Sequence, residues 1–465
     1  MSLSSILGFY YKSFFSPFLD PFSSIYVSPP EFIAGAMLSS EKYFVLLFIC
    51  LVILSTCLVT HNQVNMVLKP RGWSEPKPKF TSRTEPKTEN LEIDQPLLKP
   101  QIANLQPRCL GMSSWMSQTR MATRGNYWVL YNFYKATKEL QCFESVTYVT
   151  QGEFHYLDNL WPVLQRWQGP MSVAIYAPSS DFIQAIQLIN YYRNCLEYSP
   201  QIVEWVSFHL FYPLDHQPQS LNVTFSSCQD FNIESIQAKE SYRKSMQLDY
   251  PVNVARMIAR ESATTHYVFT SDIELYPSPN LISQFLQMIK QVGVSDKTVW
   301  VTPIFEIKAD ASLPNNKVEL VQMLKDKTAI VFHQNFCEAC HKVPHFQEWL
   351  TTNNTGLSVF KTAKRTGMWE PIYIGTNQDP PYDERLSWEG RSDKMTQGFI
   401  LCLLDYNFAI LDNGFLVHRP GIKSRKDNFK ATPANKVFHQ KNLIKTKIAP
   451  ELNRIYGSNK DCYTG

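Results

Sequence analysis

Charge is what this sequence has least of. Asp, Glu, Lys and Arg make up 18% of 465 residues and nearly cancel, leaving a formal net charge of +4. No dense Lys/Arg stripe interleaved with aromatics occurs, which removes the electrostatic footprint of a nucleic-acid-binding face. A second Cys-x-x-Cys is also missing, so Cys337-Glu338-Ala339-Cys340 has no partner with which to build a four-cysteine zinc site. With His341 next to it, and His333 and His345 nearby, the run still has the spacing of a c-type haem attachment or a mixed zinc site. Two N-glycosylation sequons point instead to a secretory chain with no haem-attachment route, and structural disulfides are the expectation, with no pairing assigned. What is plentiful is apolar: 44% hydrophobic and 13% aromatic residues suit a large globular core rather than a disordered chain.

From Tyr43 to Thr60 no charge occurs at all, and the length is near the lower limit for one membrane-spanning helix. No small-residue cleavage site follows, so an uncleaved signal anchor over residues 43–60 is expected. Local charge argues against a lumenal C-terminus, because Lys69, Arg71, Lys77 and Lys79 follow the span and only Lys42 closely precedes it. The sequons Asn222-Val223-Thr224 and Asn353-Asn354-Thr355, with eight cysteines after the span, suit an oxidising lumen. Long C-terminal domains translocate largely regardless of flanking charge, and the lumenal orientation is therefore expected. Residues 1–42 are read as a poorly ordered cytoplasmic tail, for which Met37 offers an alternative start. Residues 61–107, broken by Pro70, Pro76, Pro78, Pro86, Pro96, Pro100 and Pro107, read as an extended stem, and 108–465 as the folded domain.

The chain is organised around Thr265–Pro279, where a β-branched and aromatic run ends in two carboxylates, Asp272 and Glu274. In an extended chain residues i and i+2 point the same way, so the pair has the spacing to share one hard divalent cation. Such triplets also occur in ordinary surface turns; the apolar strand before this one sets it apart. Strands are expected at Ser145–Val149, Met171–Tyr176, Ile202–Leu210, Thr298–Phe305, Asn407–Leu411 and Gly414–His418. Helices are expected at Tyr156–Trp167, Phe182–Tyr192 with Asp181 as N-cap, Leu281–Gln291 and Met395–Leu404. The alternation predicts an α/β fold with a mostly parallel sheet covered on both faces and ligands beyond the carboxyl ends of its strands. Thr150, Gln151 and Asp272 fall at such ends. Asn253 and Arg256, on the helix preceding the acidic strand, either face the same crevice or merely cap and solvate the helix. From Trp369 to Lys394 the sequence turns loop-rich and polar, where substrate contacts are common. His418 enters only if the fold carries it to Asp272.

The order of span, Pro-rich stem, SDIELYPSP, CEAC followed by Trp349, PPYDER and ILDNGFLVH resembles glycosyltransferase family 49 over about Glu144 to Cys462. That family includes transferases of glucuronic acid to the glycan of α-dystroglycan. The resemblance implies a GT-A fold and an inverting, metal-dependent transferase of the Golgi. By position, Asp272 and Glu274 look like the family's Asp-x-Asp metal motif, with Glu274 one methylene longer than the usual Asp, and His418 like the histidine completing a Mn²⁺ site. Cys337 and Cys340 match a family Cys-x-x-Cys, and Lys436–Tyr456 resembles the closing helix. The implied reaction uses a UDP-sugar donor and a glycan acceptor on a glycoprotein, with glucuronic acid to xylose in β-1,4 linkage the first expectation and UDP-GlcNAc or UDP-xylose the alternatives. For the base, Asp393 stands first because WEGRSD resembles the acidic loop of other GT-A enzymes. Family members tend to carry Asn there, so Asp383, Glu384 and Glu389 stay open, each with an ordinary alternative as a partner of Arg385 or Arg391. A glucuronate carboxylate would call on Arg256 or Lys394. The drift to Glu274 keeps a second class open, a degenerate, glycan-binding relative.

Overall fold

The apolar runs do become strands, and their burial shows how they are covered. The computed structural model describes residues 118–464 except 226, 294–295, 389–390 and 423–432, so the expected tail, span and stem lie outside the described residues. Among the described residues no helix is long and apolar enough to cross a membrane. In chain order the strands are β1 (Arg120–Arg124), β2 (Tyr127–Tyr134), β3 (Val146–Gly152), β4 (Met171–Tyr176), β5 (Val206–Pro213), β6 (Tyr267–Thr270) and β7 (Leu275–Pro277). They continue as β8 (Thr298–Thr302), β9 (Ile304–Ile307), β10 (Ala329–Val331), β11 (Ser358–Ala363), β12 (Ile372–Thr376), β13 (Asn407–Asp412) and β14 (Leu416–His418). Every residue of β3 and β4 is buried, as strands covered on both faces require. On one face Tyr148, Trp167, Phe269, Phe285 and Trp300 pack together; on the other, Val149 and Val268 meet Val254, Ala255 and Ile258 of the helix Val252–Glu261.

Ten strands form one sheet in the order β1-β2-β5-β4-β3-β6-β12-β8-β13-β11, and a second sheet runs β10-β9-β14-β7. The sheet is mixed rather than mostly parallel: of nine neighbouring pairs only β5/β4, β4/β3, β3/β6 and β8/β13 are parallel. Three elements absent from the sequence reading make the difference. The hairpin β1–β2 caps one edge, β11 pairs antiparallel with β13 at the other, and β12, inside the stretch that looks like loop, inserts antiparallel between β6 and β8. Pro303 divides the expected strand Thr298–Phe305 into β8 and β9, which belong to different sheets; proline has no N–H for a ladder.

Other corrections are local. Ile202–Trp205 is helix, because Pro200 starts a helical turn over Ser199–Trp205 before β5 begins. The expected helix Tyr156–Trp167 is a 3₁₀ segment, Phe154–Asn159, followed by the helix Leu160–Trp167. Asp181 is the first residue of the helix Asp181–Asn194, not its cap, and its buried carboxylate accepts the backbone N–H groups of Tyr242 and Arg243. The closing helix is three pieces, Ala434–Leu443, a π turn Ile444–Ile448 and Ala449–Tyr456; Pro450 cannot donate to the preceding turn, and a π turn is one way a helix absorbs that loss.

The disulfide expectation is met at Cys337–Cys340, and Cys195–Cys228 and Cys402–Cys462 are also bonded. The last ties the C-terminal segment to the helix Met395–Leu403, and closing a loop of that length is worth about 4 kcal/mol in the chain-entropy view.

Candidate functional site

The carboxyl ends of β3 and β6 lie side by side, since the two strands pair in parallel from Val146↔Tyr267 to Val149↔Thr270. Beyond Thr270 the chain does not stay extended. Ser271 N–H still donates to Val149 O at 2.9 Å, but Leu275 N–H then donates back to Asp272 O at 3.0 Å, closing a turn through Ile273 and Glu274. The Tyr148 hydroxyl fastens that turn from below, donating to Leu275 O at 2.6 Å and Asp272 O at 3.2 Å. The expectation that Asp272 and Glu274 point together rested on an extended chain; the turn gives each carboxylate its own surroundings.

Asp272 faces cations. Its Oδ1 accepts from Arg256 at 3.0 Å and from Gln151 Nε2 at 3.1 Å, and its Oδ2 from Lys394 Nζ at 3.1 Å. Arg256 also donates to Asp393 Oδ2 at 2.5 Å and to Asn253 Oδ1 at 2.9 Å, and its guanidinium lies 5.5 Å from the Tyr382 ring centroid. Burial pushes the Asp272 carboxyl upward, but Lys394 and Arg256 outweigh it and hold the group well below the usual carboxylate range. Burial and Arg256 push Lys394 down, while Asp272, Asp393 and Glu370 push it up, and the net direction is up. Both groups therefore stay charged at neutral pH. Exposure separates their roles: the Arg256 side chain is 3% exposed, that of Lys394 19% and that of Asp272 35%.

Glu274 and His418 form the second pair. Their Oε2 and Nε2 atoms are 3.8 Å apart, although the residues come from different segments, because β14 pairs antiparallel with β7 and sets His418 opposite Leu275. His418 Nδ1 lies 2.8 Å from Arg419 O, and a carbonyl can only accept, so Nδ1 carries the proton. In the neutral ring the Nε2 lone pair then points toward a carboxylate. That arrangement is repulsive unless a proton or a cation lies between them, and oxygen plus imidazole is a donor set that suits Mn²⁺. Among the described residues no group of three or more His, Cys, Asp or Glu side chains is arranged as a metal set. Glu274 and His418 fit a divalent ion together, while Asp272 is turned to Arg256 and Lys394.

The remaining sequence candidates separate clearly. Thr150 is fully buried at the end of β3, and its hydroxyl is unpaired. Gln151 bridges Tyr250, whose hydroxyl donates to it at 2.8 Å, and Asp272. Asn253 does not face a ligand: its amide donates to Asp383 O and Asp393 O, both at 2.9 Å, strapping the 383–393 loop to the helix. Asp393 is buried on Arg256, Asp383 is bidentate with Arg385, and Glu384 is held by Arg124 rather than by Arg385. Glu389 lies outside the described residues.

Two residues enter that the sequence reading left without a role. Glu370, two residues before β12, lines a small cleft with Thr270, Tyr373, Tyr382, Lys394 and Gln397. His341, of the Cys-x-x-Cys-His run, is buried and donates from Nδ1 to Glu370 O at 3.1 Å, while Glu370 N–H donates to Cys340 O at 2.7 Å. Burial and Lys394 push the His341 imidazolium down to about 4, so this ring is neutral at physiological pH. The motif braces the Glu370 segment. The only signal was the placement of Trp369-Glu370-Pro371 at the head of a stretch that looked like loop.

A mixed α/β sheet with a charged crevice beyond its parallel strand ends defines a class of enzymes that hold ligands there. Residues 145–457 match a family described as glycosyl-transferase for dystroglycan. Beta-1,4-glucuronyltransferase 1 of Danio rerio is 32% identical over 301 residues, covering 60% of this chain and 68% of that protein. Its Homo sapiens namesake is 26% identical over 331 residues, covering 69% and 77%. Xylosyl- and glucuronyltransferase LARGE1 of Homo sapiens is 25% identical over 315 residues, covering 67% of this chain and 36% of that protein. The chain belongs to glycosyltransferase family 49 and is a glycosyltransferase.

Proposed function

We propose that this protein is a Golgi type II membrane glycosyltransferase of GT-A fold, inverting and Mn²⁺-dependent, that transfers glucuronic acid from UDP-glucuronate to a xylose-ended glycan on a glycoprotein. The observation that carries the reading is the pairing of two unlike charge centres at one set of strand ends: Asp272 with Lys394 and Arg256, and Glu274 with His418. A nucleoside diphosphate sugar brings negative charge to such a crevice. Glu274 and His418 would hold Mn²⁺, which would supply Lewis-acid stabilisation of the departing diphosphate. Lys394 suits a uronate carboxylate better than Arg256 does, being the more exposed and engaged by Asp272, while Arg256 is consumed by Asp272, Asp393 and Asn253. The proposed layout keeps residues 1–42 cytoplasmic, 43–60 as anchor, 61–107 as stem and 108–465 as the lumenal catalytic domain.

The purified chain is expected to release UDP from UDP-glucuronate in Mn²⁺ and to lose that activity on chelation. A screen including UDP-GlcNAc and UDP-xylose ranks the donor. Failure to bind or turn over every UDP-sugar with any divalent ion would leave the glycan-binding reading. Topology has its own check. Asn222 and Asn353 are both exposed, as acceptors must be. Chain expressed in a eukaryotic secretory system should lose mass on glycosidase treatment, whereas an unglycosylated C-terminal domain open to cytosolic-side protease would reverse the orientation.

A further inference from the structure

Inverting transfer needs a group that accepts the proton of the attacking hydroxyl. Among the acids proposed for this from the sequence, those described are already committed: Asp393 to buried Arg256, Asp383 to Arg385, Glu384 to Arg124. A carboxylate locked to a guanidinium is a poor proton acceptor, because the cation stabilises its ionised form.

Resting on the transferase reading above, we infer that Glu370 is the catalytic base of this enzyme. Its position follows from the sheet. β12 runs antiparallel to β6, with Ile374 opposite Phe269 and Thr376 opposite Tyr267, so the start of β12 lies at the carboxyl end of β6, where Asp272 stands. Glu370 precedes that start and is partly exposed in the cleft it shares with Lys394 and Tyr382. Its backbone is held at both polar atoms, by Cys340 O and His341 Nδ1, which fixes the residue while leaving the side chain to the cleft.

The electrostatics agree with the placement. Burial and the charge of Asp393 push the Glu370 carboxyl up to about 7, against the opposing pull of Lys394, Arg365 and Arg256. Arg365, the cation on its own side of the cleft, is spent on backbone carbonyls of Trp369 and Tyr463. The neutral His341 ring and the phenols of Tyr373 and Tyr382 complete the surroundings. A base whose affinity for protons matches ambient pH is the most effective kind.

In the step itself the acceptor oxygen bonds to the anomeric carbon as the bond from that carbon to the diphosphate oxygen breaks. UDP leaves with the electron pair, and the hydroxyl proton passes to Glu370. The test uses the full chain with UDP-glucuronate and a β-xyloside. Wild type should lose kcat/KM tenfold per pH unit below about pH 7. Glu370→Gln should lower kcat by about 10²- to 10⁴-fold, abolish that acid limb and leave UDP affinity nearly unchanged. Its melting temperature at pH 8 should equal or exceed that of wild type. The folded-state carboxyl is raised above its unfolded value, so its contribution is present below about 4.5 and lost as pH rises through about 7; the amide removes that loss. Retention of turnover within tenfold, with the acid limb intact, overturns the assignment, as does an Asp393→Asn variant that alone removes the limb. A wild-type chain that transfers from no UDP-sugar sinks the transferase reading and this assignment with it.

Discussion

Replacing Arg256 by alanine is expected to destabilise the protein by about 3–5 kcal/mol and to abolish transfer. The guanidinium is nearly fully buried and joins Asp272, Asp393 and Asn253, so its removal strands a buried carboxylate at Asp393 and frees the loop strapped by Asn253. Lysine should rescue little, because a single ammonium cannot reproduce a planar fork shared between two carboxylates. Denaturant midpoints with matched slopes measure the loss; a midpoint change worth less than about 1 kcal/mol would mean the network is not what holds the loop. The same geometry sets the outcome of Asp272→Asn. For an isolated acidic pair, losing one charge relieves repulsion, but Asp272 neutralises Arg256 and Lys394, so the amide should cost stability as well as activity.

His418→Ala is expected to raise the manganese requirement by at least about 100-fold and lower turnover with it. The ring is 9% exposed and its centroid lies 5.5 Å from that of Phe332, so truncation should also cost about 1–2 kcal/mol of packing. Stability alone therefore decides nothing, and the manganese titration is the discriminating measurement. Glu274→Ala should shift it in the same direction, since the two side chains face one another at 3.8 Å. An unchanged metal requirement in the folded His418 variant would leave a packed strand-end histidine and remove it from the site.

The fold was legible wherever local period carried it. β4 occupies the expected residues, the helix Leu281–Val292 lies within one residue of its expected end, and residues 407–412 form the strand that their apolar pattern announced. β12 was hidden because Ile372-Tyr373-Ile374 is short and sits among Pro, Asn and Asp, where turn chemistry outweighs a brief apolar alternation. Its strand character comes from two neighbours, β6 and β8, rather than from itself.

The site divides the same way. Asp272, Glu274, His418 and the cysteine pair could be singled out from residue type and order along the chain. What each one faces could not. A turn of four residues parted the two acids, and pairing between β7 and β14 carried His418 to one of them. Helix packing set Arg256 against the other, and the entry of β12 placed Glu370 in the crevice. Residue chemistry is local and readable in order along the chain; charge pairing joins groups from 16 to more than 100 positions apart, and only the folded sheet brings those within reach.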